Sequence, residues 1–319
     1  MPTVEIACDE SGYEAEKLVG GTTDVFTHAA VRLDTETATE CVLELRRRIR
    51  SPATEYKANH VLRTKHRAAL EWLLGPAGPL HGNARVQLVD KTYFLILKTT
   101  ALLGGRAGPE SAGRLYDEGR RSSGGETWRA FLAAANDLMR SKEPHDGIEP
   151  VGSFFAAIEG LPSTIRDVLR GGRSRAESYR THLHEHPAAL PPLDPLYPAI
   201  LRAVDVWGAD GDPVSIVHDR QNTLPENRID ALKEMSGGRL AGLSLANSGF
   251  DLRVQVADFL AGVARKLASD QLAGAGDDDL TALVRPYVDP DSVWADEPSW
   301  AKLRPAADRP RSLGSGLVS

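Results

Sequence analysis

Aspartates close three of the short apolar runs in this sequence: Asp9, Asp90 and Asp219. Such runs, bounded by polar residues, predict β-strands. An Asp at a strand end is often only a turn former, so none of the three would be informative alone. If the strands share one sheet and one direction, however, their carboxyl ends bring the acids to the edge where open α/β sheets place functional sites. The sequence therefore predicts a cluster of carboxylates able to hold a divalent cation.

A fourth acid, Asp258, lies on the helix predicted over Asp251–Ser269. Apolar residues cover most of the circumference of this helix, and its polar strip is formed by Gln255, Asp258, Gly262 and Arg265. A helix of this composition is expected to be buried, so Asp258 would face a narrow solvent strip or a polar cavity. Gly262 would let another segment approach closely.

Carboxylates gathered in this way suit the hydrolysis of phosphodiesters. Two divalent ions about 3.5–4 Å apart activate a water molecule and stabilise the leaving oxygen, and Mg²⁺ prefers oxygen ligands. A bound cation would also explain why an apolar strand ends on Asp9, because an ionised carboxylate is costly to bury without a partner. Glu10 should point to the opposite side of the strand and have a supporting role.

The elements that must position these acids alternate between strand and helix patterns. Strands are predicted at Val4–Cys8, Val25–Leu33, Arg85–Asp90, Pro213–Asp219 and Leu240–Ala246. Helices are predicted at Thr35–Arg50, Lys57–Leu74, Thr92–Leu103, Thr127–Arg140, Val151–Leu161, Pro198–Trp207 and Asp251–Ser269. This order predicts an α/β fold with a mixed sheet. The core would comprise residues 1–103 and 212–270, with a helical insertion at 104–211 and a C-terminal extension at 271–319 that ends in a frayed tail.

Four motifs in order resemble the family named domain of unknown function 3800. They are D-E-S-G at Asp9–Gly12, E-Y-K at Glu55–Lys57, H-D at His218–Asp219, and Q-V-A-D-F-L-A-G at Gln255–Gly262. That family is similar in fold to ribonuclease H and to the retroviral-integrase-like nucleases.

The resemblance implies a ribonuclease H-like mixed sheet flanked by helices, interrupted here by the large helical insertion. It also implies a metal-dependent nuclease or phosphodiester hydrolase whose Mg²⁺ or Mn²⁺ ligands are Asp9, Glu55, Asp219 and Asp258. Lys57, two residues after Glu55, would offset the acidic charge or contact the scissile phosphate.

Several further residues are candidates for supporting roles. Glu10 and Asp90 are additional candidate ligands, and Lys91 could act as Lys57 does, although either lysine could simply be solvated. Ser11 and Asn247–Ser248 could orient water or backbone near the acids.

Bulk composition excludes some classes of protein. A formal charge of -6 over 319 residues argues against a protein that coats duplex DNA, although arginine-rich segments such as Arg170–Arg175 could bind a nucleic acid locally. The two cysteines form no disulfide framework, and no apolar stretch approaches the roughly 18 residues that span a bilayer. These features predict a soluble cytoplasmic protein without a membrane partner.

Competing motifs and alternative functions stay open at this level. His182 and His186 in T-H-L-H-E-H share a helix face, but the zinc-protease order H-E-x-x-H is absent, and a polar helix end is the favoured interpretation. Neither a phosphate-binding loop nor a G-x-S-x-G elbow is present. A non-catalytic binding or regulatory module of the same fold is the main alternative. The sequence does not distinguish DNA, RNA or a small phosphoester as the substrate, nor the oligomeric state.

Overall fold

The computed structural model describes residues 3–50, 58–105, 108–122, 125–142, 147, 149–209 and 211–306. Within them lies a mixed five-stranded sheet, in the order β3-β2-β1-β4-β5. Its strands are β1 (Val4–Ser11), β2 (Val25–Val31), β3 (Ala84–Asp90), β4 (Val214–Asp219) and β5 (Leu240–Ala246). Strands β1, β4 and β5 are parallel to one another, whereas β2 is antiparallel to both β1 and β3. The α/β class and the mixed sheet predicted from the sequence are therefore confirmed.

Helices account for most of the remaining described chain. Those of the first third are α1 (Thr35–Ile49), α2 (Ala58–Val61), α3 (Arg67–Leu74) and α4 (Lys91–Leu103). Those between β3 and β4 that follow α4 are α5 (Gly108–Ser122), α6 (Gly125–Met139), α7 (Pro150–Ala157), α8 (Ser163–Arg170), α9 (Arg173–Glu185) and α10 (Leu196–Trp207). The last are α11 (Glu226–Met235), α12 (Leu252–Leu272), α13 (Asp278–Val284) and α14 (Glu297–Leu303).

The two faces of the sheet are covered by different helices. Ala7 and Ala29 pack in a core with α1, α3 and α12, whereas Ile6 and Cys8 pack in a second core with α4 and the helices that follow it. This alternation follows from the period of two along a strand, which sends neighbouring side chains to opposite faces. Because β1 is central, it is buried on both faces.

The prediction of one helix over Lys57–Leu74 is wrong for the residues of this range that the structure describes. Two short helices, α2 and α3, are joined there by a 3₁₀ turn at Thr64–His66. The run Arg63–Arg67 contains no apolar side chain, so a continuous helix would have no apolar stripe to bury at this point.

Part of the predicted C-terminal extension packs against β3. Val288 and Val293 form isolated parallel bridges with Val86 and Val89 of β3, and Tyr287 and Val288 are buried. Each bridge involves a single pair of residues that are far apart in the sequence. No periodic pattern in the sequence could therefore predict them. The predicted frayed tail, 309–319, lies outside the described residues.

None of the described helices combines the length and the apolar character that a bilayer-spanning segment requires.

Candidate carboxylate centre

Asp9 and Asp219 are brought together by the pairing of β1 with β4. Cys8 lies opposite His218 in this parallel pair, so the two aspartates that follow them are neighbours at the carboxyl end of the sheet. Ala7 and Val217, two residues earlier on each strand, face the core that contains α12. Strand alternation therefore directs both aspartates towards α12.

Helix α12 brings Asp258 to this edge because it packs closely on the sheet. The hydroxyl of Thr27 in β2 donates a hydrogen bond to the carbonyl of Ala261 at 2.8 Å. A Cβ atom on Gly262 would lie 2.2 Å from the Cβ of Ala58, so only glycine allows α2 and α12 to approach this closely. The expectation that Gly262 permits a close approach is met by Ala58.

The electrostatics of Asp9 show that the three acids are close. Asp9 is 6% exposed, and burial, followed by the charges of Glu10, Asp258 and Asp219, raises its pKa to about 9. The amide of Glu10 donates to Asp9 Oδ1 at 2.7 Å, which opposes the shift only in part. Asp219 and Asp258 are half-buried. Carboxylates from β1, β4 and α12 thus converge on one region.

The described residues alone do not form a complete metal-binding site. There, no group of three or more His, Cys, Asp or Glu side chains is in place to hold an ion. The predicted ligand Glu55 and the predicted catalytic Lys57 lie outside the described residues; Ala58, against Gly262, is the next described residue after them. The oxygen donors of Asp9, Asp219 and Asp258 still suit Mg²⁺ or Mn²⁺, and a cation would offset both the burial and the like charges that raise the pKa of Asp9.

Glu10 lies on the opposite face, as the alternation of β1 predicts. Its side chain is 6% exposed, and burial followed by the charge of Asp219 raises its pKa to about 8. The amide of Gln221 donates to Glu10 Oε1, while the buried Oε2 has no hydrogen-bond partner among the described residues. The imidazole of His218 lies 3.7 Å from Oε2.

A pair of buried histidines, His28 and His218, continues this polar cluster. Their Nε2 atoms are 3.2 Å apart and their rings stack at a centroid distance of 5.3 Å. Burial lowers the pKa of both, so both are neutral at pH 7. His218 Nδ1 lies 2.9 Å from the carbonyl oxygen of Asp219. Sequence reasoning quoted His218 only as part of a motif and missed His28, because no local pattern pairs them.

Asp194 is a second residue that sequence reasoning missed. Its Oδ2 accepts a hydrogen bond of 2.6 Å from the hydroxyl of Tyr13, and its Oδ1 accepts one of 3.0 Å from the amide of Leu196. Burial raises the pKa of Asp194 to about 6. Tyr13 directly follows the D-E-S-G motif, so Asp194 ties the loop before α10 to the end of β1.

Asp90 does not belong to the carboxylate centre, contrary to the expectation that three strand-terminal acids meet. It caps α4, where it accepts hydrogen bonds from the amide of Tyr93 at 3.0 Å and the hydroxyl of Tyr116 at 2.5 Å. Strand β2 separates β3 from β1, and the order of the sheet therefore keeps Asp90 away from Asp9. Lys91 is also structural: it is 1% exposed, and its ammonium donates to Glu14 and Thr23.

The remaining candidates have local roles. Ser11 Oγ accepts a hydrogen bond from Arg265 Nε at 2.9 Å, and Asn247 Oδ1 accepts one from the amide of Gly249 in the turn before α12. The exposed rings of His182 and His186 stack at 4.2 Å at the end of α9. They belong to no metal-holding group of the described chain, consistent with a polar helix end.

A cleft of about 780 Å³ in the described part of the chain contains none of the predicted acids. It lies between the loop Lys17–Asp24 and α6, and Arg129, Arg140 and Ser269 also line it. Ser269 lies eleven residues after Asp258 on α12, which corresponds to about 16 Å of helix. The cleft and the carboxylate centre are therefore separate places linked by one helix.

Comparison of this chain with protein-family models, with curated proteins and with solved structures finds no match.

Proposed function

We propose that the protein is a divalent-metal-dependent phosphodiester hydrolase, of the nuclease type, with a ribonuclease H-like fold. One observation carries the proposal: Asp219 and Asp258, from β4 and α12, lie near enough to the buried Asp9 of β1 for their charges to add to the effects of burial and of Glu10, which together raise the pKa of Asp9 to about 9. A structural role alone leaves such crowding of like charges unexplained. The mixed sheet, with Asp9 near the carboxyl end of its central strand and Asp219 at the end of the neighbouring β4, is compatible with the fold that the sequence motifs imply.

Under this proposal the three aspartates hold Mg²⁺ or Mn²⁺, with Glu55 as the fourth ligand and Lys57 beside the phosphate. Bound divalent ions supply an activated water and stabilise charge on the phosphoryl oxygens. The chain contributes the alignment of the ligands, since β1 and β4 fix two of them through their pairing and α12 fixes the third.

A cleavage assay tests the proposal. Single-stranded, duplex and hybrid oligonucleotides are incubated with the purified protein in Mg²⁺ or Mn²⁺ and, separately, in EDTA. We expect metal-dependent cleavage that falls by more than about 100-fold in Asp9→Asn and Asp258→Asn, because outer partners of metal ligands alone are worth 10–100-fold. Asp270→Asn is the matched control on α12, where Asp270 pairs with Lys266 on the surface.

Cleavage that survives in Asp9→Asn and Asp258→Asn would remove these residues from the mechanism. Binding of oligonucleotides without any metal-dependent product would instead favour the non-catalytic module.

A further inference from the structure

Arg265 occupies the polar strip of α12 on the same side as Asp258. It follows Asp258 by seven residues, two turns of helix, so that the two side chains share one face at an axial separation of about 10 Å. Its guanidinium Nε donates to Ser11 Oγ at 2.9 Å, and Ser11 is two residues after Asp9 on β1. Arg265 is thus attached to the same strand end that carries the carboxylate centre.

The end of β1 is shaped to receive this arginine. Gly12 has a φ of +76°, and a Cβ at this position would lie 2.7 Å from Arg265 Cδ and 2.2 Å from the carbonyl oxygen of Val25. A side chain at position 12 would therefore displace Arg265. Ser11 and Gly12 together fix the guanidinium: the first accepts its Nε hydrogen and the second leaves space for its stem.

The donors of Arg265 are only partly used. Among the described residues, the bond to Ser11 is the hydrogen bond of this guanidinium, and no carboxylate lies within ion-pair distance of it. Arg265 is half-buried, and the neighbouring Lys91 is close enough to interact with it electrostatically. By contrast, Arg253 and Lys266 on the same helix are each paired with a nearby carboxylate. A fixed, half-buried guanidinium with free Nη donors is suited to bind a planar or tetrahedral anion through two hydrogen bonds.

We propose that Arg265 is a substrate-positioning residue that binds a phosphate of a nucleic acid strand next to the phosphate at the carboxylate centre. This inference rests on the proposed function for the identity of the substrate. The separation of about 10 Å along α12 assigns Arg265 to a neighbouring phosphate and not to the scissile one. A substrate with several phosphates is therefore favoured over a small phosphomonoester.

Binding measured without turnover tests the inference. Fluorescein-labelled single-stranded DNA, single-stranded RNA and duplex DNA are titrated in EDTA and in Ca²⁺, with fluorescence anisotropy as the readout. For the best-bound probe we expect Arg265→Gln to lose about tenfold or more in affinity, the effect of a lost charge-assisted hydrogen-bonded pair. The slope of log K against log salt should fall by about 0.7–0.9, the value for one phosphate contact.

Lys266→Gln is the matched control, because it removes one positive charge from the adjacent residue, which is exposed and already paired with Asp270. It should change affinity by less than about twofold. Arg265→Lys keeps the charge and should retain the salt slope while losing part of the affinity. Ser11→Ala keeps the charge of Arg265 but removes the acceptor that orients its guanidinium. This variant replaces Arg265→Gln in the binding assay if Arg265→Gln does not fold.

The two proposals fail separately. If Arg265→Gln behaves as Lys266→Gln does, or if the wild type binds none of the probes, the assignment of Arg265 is overturned, even when cleavage is observed. If the wild type binds and Arg265→Gln weakens binding but no metal-dependent cleavage occurs, the phosphate site stands and the hydrolase proposal falls. In a cleaving protein, Arg265→Gln should raise KM more than it lowers kcat, since its contact exists before the reaction.

Discussion

The ends of β1 and β3 both carry a buried aspartate, but the two side chains have opposite surroundings. Asp90, 1% exposed, accepts hydrogen bonds from Tyr93 and Tyr116, with Arg120 nearby, and burial raises its pKa only to about 6. For Asp9, 6% exposed, burial followed by the charges of Glu10, Asp258 and Asp219 raises the pKa to about 9. Equal burial therefore does not imply an equal role: the carboxyl group of Asp90 has two hydrogen-bond donors, whereas the charges that act most strongly on Asp9 are those of other carboxylates. This contrast is the physical reason for assigning function to Asp9 and structure to Asp90.

The largest effect on stability is expected at Asp90. Asp90→Ala leaves the hydroxyl proton of Tyr116 and the amide of Tyr93 without an acceptor and removes the N-cap of α4, which should lower the free energy of unfolding by about 3 kcal/mol. Urea denaturation measures the change. Asp117→Ala, at an exposed acid on α5, is the control and should stay within about 0.5 kcal/mol of wild type. A stable Asp90→Ala protein would contradict the structural role.

Divalent cations should stabilise the carboxylate centre. At a concentration about 100 times the dissociation constant, a bound ion adds about 2.7 kcal/mol to the free energy of unfolding. We expect Mg²⁺ or Mn²⁺ to raise the Tm of the wild type by several degrees in a thermal scan, and to leave Asp9→Asn nearly unshifted. An equal shift in both proteins would mean that the ion binds elsewhere.

Removing the charge of Asp9 should stabilise the metal-free protein. Its pKa is about 9 in the folded state and 3.8 ordinarily, so the folded state binds the proton more tightly and stability is lost as pH rises from about 4 to 9. Asp9→Asn does not titrate, and we expect it to be more stable than wild type by about 1–2 kcal/mol at pH 8 and equal to it near pH 4. Urea titrations in EDTA at several pH values measure this. Parallel pH profiles for the two proteins would refute the proposed crowding.

The smallest effect is expected from removing one of the two hydrogen-bond donors to Asp90. Tyr116→Phe removes the hydroxyl that donates to Asp90 while keeping the ring, which packs edge-on against Tyr93. The free energy of unfolding should fall by about 1 kcal/mol, because Asp90 keeps the amide of Tyr93 as a donor. Metal-dependent stabilisation should be unchanged, since Asp90 takes no part in the carboxylate centre. A loss of that stabilisation would show that the two sites are coupled.

Much of the framework could be predicted from local pattern. The apolar runs located all five described strands to within three residues at their ends, and β5 (Leu240–Ala246) was located without error. The broad stripe of apolar residues likewise located α12, because a buried helix carries apolar side chains in every turn. By contrast, α5, α8, α11, α13 and α14 were not located individually, and of α9 only the polar end near His182 and His186 was recognised.

The sequence by itself determined that acids stand at the ends of apolar strands and that Asp258 and Arg265 share one polar strip of a buried helix. Both facts depend only on the strand and helix periods. Only the tertiary structure decided which acids meet, because strand order and register place Asp9 beside Asp219 and keep Asp90 two strands away. The tertiary structure also decided that Tyr116 donates a hydrogen bond to Asp90 and that Ser11 orients Arg265. These contacts join residues far apart in the chain, and whether a buried charge is compensated depends on such neighbours and on no local pattern.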